Sequence, residues 1–334
     1  MYERKYHRKD ISKYSFLITG GAGFIGANLV EYLLKYGAGK VVVLDDLSTG
    51  NYVNIEAFAQ YGNFQFIEGD IRSQNACNKA CEGIDIILHQ AALGSVPRSV
   101  KDPVTTNEVN VTGFLNMLNA AKENGIKRFV YAASSSVYGD HPGLPKVEAH
   151  IGKPLSPYAV SKYVNELYAN VFSGLYGIET IGLRYFNIFG PKQSPEGSYA
   201  AVIPLFINKM LNHAAPEING DGLQSRDFTF VENAVQANVL AALTDNNEAV
   251  NQVYNIAVGE QTSLNGLVRL IGEVSGITIQ PEYKSPRPGD IKDSLADIGK
   301  AQQFLDYKPY FNVKDGLSIT FEWFKKNFEH LNQN

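Results

Sequence analysis

Along the first half of the chain, short apolar runs rich in β-branched residues alternate with stretches whose apolar positions recur at helical spacing. Residues 15–20, 41–45, 64–68, 84–89, 128–133 and 179–184 read as strands, and Ile25, Leu29, Leu33 and Leu34 mark one face of an intervening helix. Strands alternating with helices predict βαβ units, hence a parallel sheet buried on both faces. After Gly190 the pattern loosens, with Pro191, Pro195, Gly197, Gly220 and Gly222 breaking it. The expectation is an α/β chain. Residues 1–190 would form a doubly wound, Rossmann-type domain, and residues 191–334 a smaller mixed α/β substrate-binding domain. Residues 226–258 would return to the first unit through a strand at 253–256. Residues 301–307 and 315–327 read as closing helices.

Composition narrows the function classes. The chain has 334 residues, 44% hydrophobic and 19% charged, with a formal net charge of −4. That is a soluble globular balance, enough for one large or two closely joined domains. Mild acidity argues against nucleic acid as the main partner, because a phosphate backbone rewards a clustered basic surface. No apolar run approaches the ~20 residues of a membrane span. Residues 1–13 are charged and lack the apolar core of a signal peptide, so they read as a disordered tail or an interface strap. Cys77 and Cys81, the only cysteines, do not match a zinc site and read as small residues on one helix face. A reduced, cytoplasmic protein fits. The histidines, His7, His89, His141, His150, His213 and His330, show no metal spacing, so no metal is expected.

The sharpest local signal is Thr19-Gly20-Gly21-Ala22-Gly23-Phe24-Ile25-Gly26, which follows an apolar strand and opens an amphipathic helix. Gly20 suits the tight turn, Gly23 lets the backbone approach a pyrophosphate, and Gly26 lets helix and strand pack closely. The helix N-terminus presents free N–H groups to phosphates. The second strand ends in Asp45, whose carboxylate suits the adenine-ribose hydroxyls and would repel a 2′-phosphate; Asp46 follows, with no arginine beside it. NAD rather than NADP is the expected cofactor. Asp70 and Ile71, after the third strand, read either as adenine-flanking residues or as ordinary turn residues.

A second constellation follows. Ser134-Ser135-Ser136-Val137-Tyr138-Gly139 lies just past a strand, and Ser156-Pro157-Tyr158-Ala159-Val160-Ser161-Lys162 opens a helix. Ser156 suits the N-cap and Pro157 the first helical position. Tyr158 and Lys162 are spaced to share one helix face. An ammonium, a nicotinamide cation and a helix N-terminus would all favour the phenolate, making Tyr158 a base near neutral pH.

With these motifs the chain resembles the extended short-chain dehydrogenase/reductases, and among them the UDP-hexose 4-epimerases. It is most similar to bacterial UDP-N-acetylglucosamine 4-epimerases of surface-polysaccharide pathways. The resemblance spans residues 15–328. It is carried further by His89-Gln90-Ala91-Ala92-Leu93-Gly94-Ser95-Val96-Pro97-Arg98-Ser99, Arg184-Tyr185-Phe186-Asn187 and Tyr199-Ala200-Ala201-Val202-Ile203-Pro204. It implies that Tyr158 is the base, that Lys162 holds its pKa down and binds the nicotinamide ribose, and that Ser134 bonds the reacting hydroxyl while Ser135 and Ser136 line the sugar pocket. It also implies that Phe24, Ile25, Ser48, Thr49, Gly50, Gln90, Ala91, Ala92 and Tyr185 stand on the cofactor side. Gly94, Ser95 and Asn187 would then face the UDP-sugar.

On composition alone Arg226 and Arg287 read as surface charges. The resemblance instead puts them on a diphosphate, with Asp290 on a ribose hydroxyl and Val202, Ile218 and Asn219 flanking uracil or ribose. Ser294 occupies a position that acts as a gate in related epimerases, and Ala201 is small where some relatives are bulkier. Both would admit an N-acetylated sugar, since room rejects little while its lack excludes. Gln193 reads as a contact to the acetamido or C6 group, or as a solvent-facing loop residue. The implied reaction is C4 epimerisation of UDP-N-acetylglucosamine to UDP-N-acetylgalactosamine through a 4-keto sugar. UDP-glucose/UDP-galactose and a UDP-N-acetylhexosaminuronic acid are the alternative substrates. Residues 134–137 hold no acid, against a dehydratase or decarboxylase, and no cysteine–histidine pair supports a GDP-sugar epimerase-reductase. An inactive NAD-binding regulator is the alternative of a different class. The resemblance also implies a homodimer through helices around residues 105–124 and 157–175.

Overall fold

The computed structural model describes residues 1–195, 200–286 and 292–331, with side chains as far as Asn327. Strands β1 (Ser15–Thr19), β2 (Lys40–Asp45), β3 (Phe64–Glu68), β4 (Ile86–His89), β5 (Arg128–Ser134) and β6 (Glu179–Tyr185) form a parallel sheet, joined at one edge by Gln252–Ile256. The order across it is Gln252–Ile256, β6, β5, β4, β1, β2, β3. Leu17 sits opposite Val42 on one side and Ile87 on the other, so β1 is an interior strand next to the central β4. The chain goes outward from β1 to β3, then crosses back to β4. The crevice for a ligand therefore opens at the carboxyl ends of β1 and β4.

β1, β2 and β4 are almost wholly buried, as apolar strands covered on both faces must be. One face is covered by the helices Phe24–Lys35 and Val231–Leu243, whose Leu29, Leu33, Val235 and Val239 meet Phe16, Ile18 and Val43. The helices Gln74–Cys81, Phe114–Glu123 and Pro157–Tyr176 cover the other, packing Met117, Phe129 and Phe172 together. Cys77 and Cys81 are both fully buried there as free thiols.

A separate apolar core gathers Phe189, Phe206, Ile218, Phe230, Leu267 and Phe321 between the helices Val202–Leu211, Leu264–Ser275 and Val313–Leu331. Its strands are short: Glu217–Asn219 pairs with Glu282–Lys284, and Ser225–Arg226 with Thr262–Ser263.

Residues 1–13 are an ordered strap, which settles one of the two sequence readings. Tyr2 is fully buried and its hydroxyl donates to Asn28 Oδ1 at 2.6 Å. Tyr6 donates to Glu232 at 2.7 Å, stacks on Tyr32 and also stacks on Tyr310. Apolar and aromatic positions spaced along a charged segment thus pin it to the glycine-motif helix, the Val231–Leu243 helix and the C-terminal part at once.

Candidate active site

A cavity of about 850 Å³ opens at the carboxyl ends of the central strands. Its cofactor half begins at the glycine turn. Gly20 has φ +68°, and a Cβ there would meet Ala91 N at 2.7 Å; a Cβ on Gly26 would meet Gly20 O at 2.1 Å. Only glycine allows the strand, turn and helix to close on one another here. Gly23 caps the Phe24–Lys35 helix without any side-chain hydrogen bond, so the helix N-terminus faces the cavity with no capping group across it. The turn fits a pyrophosphate. The Asp45 carboxylate accepts from Ala22 N and Leu47 N, each at 2.9 Å, tying the turn to the end of β2, and burial pushes its pKa up. Asp46, Ser48, Thr49, Gly50, Gln90, Ala91, Ala92, Phe24 and Ile25 line the same half.

The chemical half is built on β5 and the Pro157–Tyr176 helix. Ser156 Oγ accepts from Ala159 N at 3.1 Å and Pro157 begins the first turn, as the local sequence dictates. Tyr158 and Lys162 line the cavity beside Ser134 and Ser135. The Ser134 hydroxyl favours the Tyr158 phenolate, but burial is the larger influence and raises the Tyr158 pKa. Lys162 Nζ donates to Ala132 O at 2.8 Å and lies 6.0 Å from the Tyr158 ring centre. Burial lowers its own pKa to about 8. Desolvation thus outweighs the influences that favour the phenolate within the chain itself. The positive charge of a bound nicotinamide would act in the opposite direction.

The structure separates other candidates. Ser136 does not line the cavity; its Oγ lies 2.7 Å from Ser134 Oγ and its N–H donates to the same atom, so it orients Ser134. Asp70 Oδ2 accepts from Arg72 Nε at 2.7 Å, while Ile71 lines the cavity. Gly94, Ser95, Asn187, Gln193, Ala201 and Tyr185 all line the wall. Two of these carry backbone strain, with φ of 102° at Ser95 and 38° at Asn187, conformations that non-glycine residues adopt only where surroundings enforce them. Ile218 is a correction: it is fully buried in the second core, packed by the register of Glu217–Asn219, and no surface of it is left for a ligand. Val202 also packs against that core rather than lining the cavity.

Arg226, Asn219 and Ser294 lie off the described cavity wall. Arg226 donates to Ser225 O at 2.8 Å, and Ser294 N donates to the same carbonyl at 3.1 Å, so the two stand side by side. Arg287 and Asp290 lie outside the described residues. The wall also contains Leu44, Gly69, Leu93, Arg98, Val109, Ala132, Ala133, Ile188, Ser194 and Ala200, to which the sequence reading gave no site role. Leu44, Gly69, Ala132 and Ala133 share one signal, position at or just after the carboxyl end of a strand, whereas Arg98 and Val109 come from helical turns. Asn110 was missed too: its amide clamps Leu93 by N–H and C=O, at 2.7 and 3.1 Å, and reaches Ser161 Oγ. Among the described residues no group of histidine, cysteine and carboxylates could hold a metal, and no helix is long and apolar enough to cross a membrane.

Residues 16–257 match the NAD dependent epimerase/dehydratase family. A "Putative UDP-glucose 4-epimerase" of Methanocaldococcus jannaschii is 39% identical over 313 residues, covering 93% of this chain and 98% of that protein. Among solved structures, the UDP-N-acetylglucosamine 4-epimerase of Methanobrevibacter ruminantium M1, in complex with UDP-N-acetylmuramic acid, superposes with a TM-score of 0.89 at 39% identity. It covers 94% of this chain and 99% of that one. The UDP-glucuronic acid 4-epimerase of Bacillus cereus, with UDP-glucuronic acid and NAD, has a TM-score of 0.85 at 32% identity over 94% and 99% of the two chains. The chain belongs to the NAD dependent epimerase/dehydratase family, the extended short-chain dehydrogenase/reductases, and its cofactor is NAD.

Proposed function

We propose that this protein is a UDP-sugar 4-epimerase that interconverts UDP-N-acetylglucosamine and UDP-N-acetylgalactosamine. One observation carries the reading. Tyr158 stands in one cavity with Ser134 and the dinucleotide turn, and residues 134–137 offer hydroxyls but no carboxylate. That set can move a proton on and off a sugar hydroxyl but lacks an acid for expelling water or carbon dioxide.

The residues divide the work. NAD, held by the glycine turn and Lys162, would supply a reversible hydride acceptor for C4. Tyr158 Oη takes the proton of the 4-hydroxyl as a separate hydrogen leaves C4 as hydride, which makes a 4-keto sugar, and returns the proton when the opposite face is reduced. Ser134 Oγ, itself held by Ser136, bridges phenol and substrate oxygen. Lys162 anchors to Ala132 O and presents its remaining donors to the cofactor side. No net oxidation results. UDP remains the tether about which the keto sugar turns, so Arg226, Arg287 and Asp290 serve nucleotide binding rather than chemistry.

The substrate choice is supported by small residues, Ala201 on the wall and Ser294 beside Arg226. The similar M. ruminantium enzyme is named for the same sugar. A UDP-N-acetylhexosaminuronic acid is the second reading, favoured by Arg98 in the cavity wall. The test is incubation with UDP-N-acetylglucosamine, UDP-glucose or the uronic acid, with anomeric protons followed by NMR. Formation of UDP-N-acetylgalactosamine faster than UDP-galactose supports the proposal. Turnover of the uronic acid alone moves the substrate, and no turnover with NAD supplied overturns the epimerase.

A homodimer is part of this proposal. Val160, Leu167, Val171 and Leu175 are exposed along one helix, near exposed Val100 and Val104. Such a stripe suits burial against a second copy. Light scattering that finds only monomer removes it.

A further inference from the structure

Asn238 is a polar residue in an apolar setting. It is fully buried on the Val231–Leu243 helix, among Val235, Ala237, Val239 and Ala241 on the face packed beneath the sheet. Burying an amide is unfavourable unless its donors and acceptor are met, and an aliphatic side chain would suit this core without that requirement. Here every amide group is used. Nδ2 donates to Tyr185 Oη at 2.7 Å and to Ala234 O at 2.8 Å, while Oδ1 accepts from Gln90 Nε2 at 3.1 Å. The ring closes on itself, because the Tyr185 hydroxyl donates to Gln90 Oε1 at 3.0 Å.

The circuit fixes direction as well as position. Tyr185 ends β6 and Gln90 follows β4, with β5 between them carrying Ala132, the acceptor of Lys162, and Ser134. Both Tyr185 and Gln90 line the cavity. Each of the three polar side chains donates once and accepts once around the ring, so the Gln90 amide cannot flip and the phenol proton has a single acceptor. The helix beneath the sheet thereby sets two side chains on the cavity floor, on either side of the catalytic strand.

We propose that Asn238 is a positioning residue, orienting Tyr185 and Gln90 for the nicotinamide end of the cofactor and through it for hydride transfer. The proposal rests on the reading above that those two side chains face bound NAD. Hydride transfer is steep in geometry, and a misplacement of ~1 Å can reduce turnover ~100-fold.

The test compares the purified holoenzyme with Asn238→Leu, Tyr185→Phe and the double variant. Turnover, KM for the UDP-sugar, NAD released per protomer on denaturation and far-UV circular dichroism are measured for each. Asn238→Leu should fold, lose NAD during purification and lower kcat about 10–100-fold, with KM for the UDP-sugar within about threefold. In the Tyr185→Phe background the same change should cost less than about threefold, since the shared circuit is already open. Asn238→Asp, which keeps the volume and removes the donors, gives the same comparison should the leucine variant not fold, and its turnover should likewise fall. Folded variants with parental NAD content and kcat, or losses that multiply fully in the double variant, overturn the proposal. NAD content reads the positioning role even if the parent turns over none of the sugars tried, an outcome that would instead sink the functional reading.

Discussion

The two ends of the ligand site are built differently. The dinucleotide and catalytic end sits on the tips of long parallel strands whose registers are locked by neighbours on both sides, and its residues fall within local motifs: the glycine turn, Ser134 at the end of β5, Tyr158 and Lys162 on one helix face. The end proposed for the nucleotide sugar rests on strands of two or three residues around a second core, where Arg226, Asn219 and Ser294 come from separate segments joined by few backbone bonds, such as Ser294 N to Ser225 O and Ser225 N to Lys292 O. A rigid end suits chemistry that tolerates little displacement; an end assembled from loops suits selectivity that relatives can alter.

The largest test of this contrast is Tyr158→Phe. It should lower kcat by roughly 10²–10⁴-fold while NAD remains bound, because it removes a proton-transfer group and no backbone cradle; parental turnover would refute the role of the phenol. Next comes Arg226→Ala. This should raise KM for the UDP-sugar by about tenfold or more, the loss of a charge-assisted contact, with NAD content unchanged. An unchanged KM would return Arg226 to the surface-charge reading. Ser294→Tyr should be more selective still, depressing UDP-N-acetylglucosamine turnover by ~10–200-fold relative to UDP-glucose. Equal losses on both sugars would remove the gate.

The smallest effect concerns acid–base balance. Burial raises the Tyr158 pKa in the free protein, and a nearby cation lowers it. NAD binding should therefore move the phenolate absorbance to lower pH and release a proton, so NAD affinity should increase as pH rises. A titration that does not shift on NAD addition would place the activating charge elsewhere, with Lys162, whose own pKa lies near 8, as the remaining candidate.

Much of this was legible in the chain. Periodicity located the strands to within a residue or two, and Val253 to Ile256 does pair in parallel with β6. Ser156 and Pro157 marked the catalytic helix start because capping is a local event. Reading failed where a residue's surroundings come from far away. Ile218 looked available for a base and is sealed in a core. Ser136 looked like a wall residue and instead orients Ser134. The charged arm hid its anchors, since Tyr2 and Tyr6 find Asn28 and Glu232 only after folding.

By itself, then, the sequence determined the βαβ order, the glycine cradle and the spacing of tyrosine and lysine, because each depends on φ/ψ preferences and contacts within a few residues. Only the tertiary structure decided which polar side chains would meet. Gln90, Tyr185 and Asn238 close their ring across separations of 148 and 53 residues, set by strand order and helix packing, which no local period encodes. The same packing buried Lys162 and half-buried Tyr158 and so shaped their proton affinities, since desolvation depends on what covers a group and not on its neighbours in the chain.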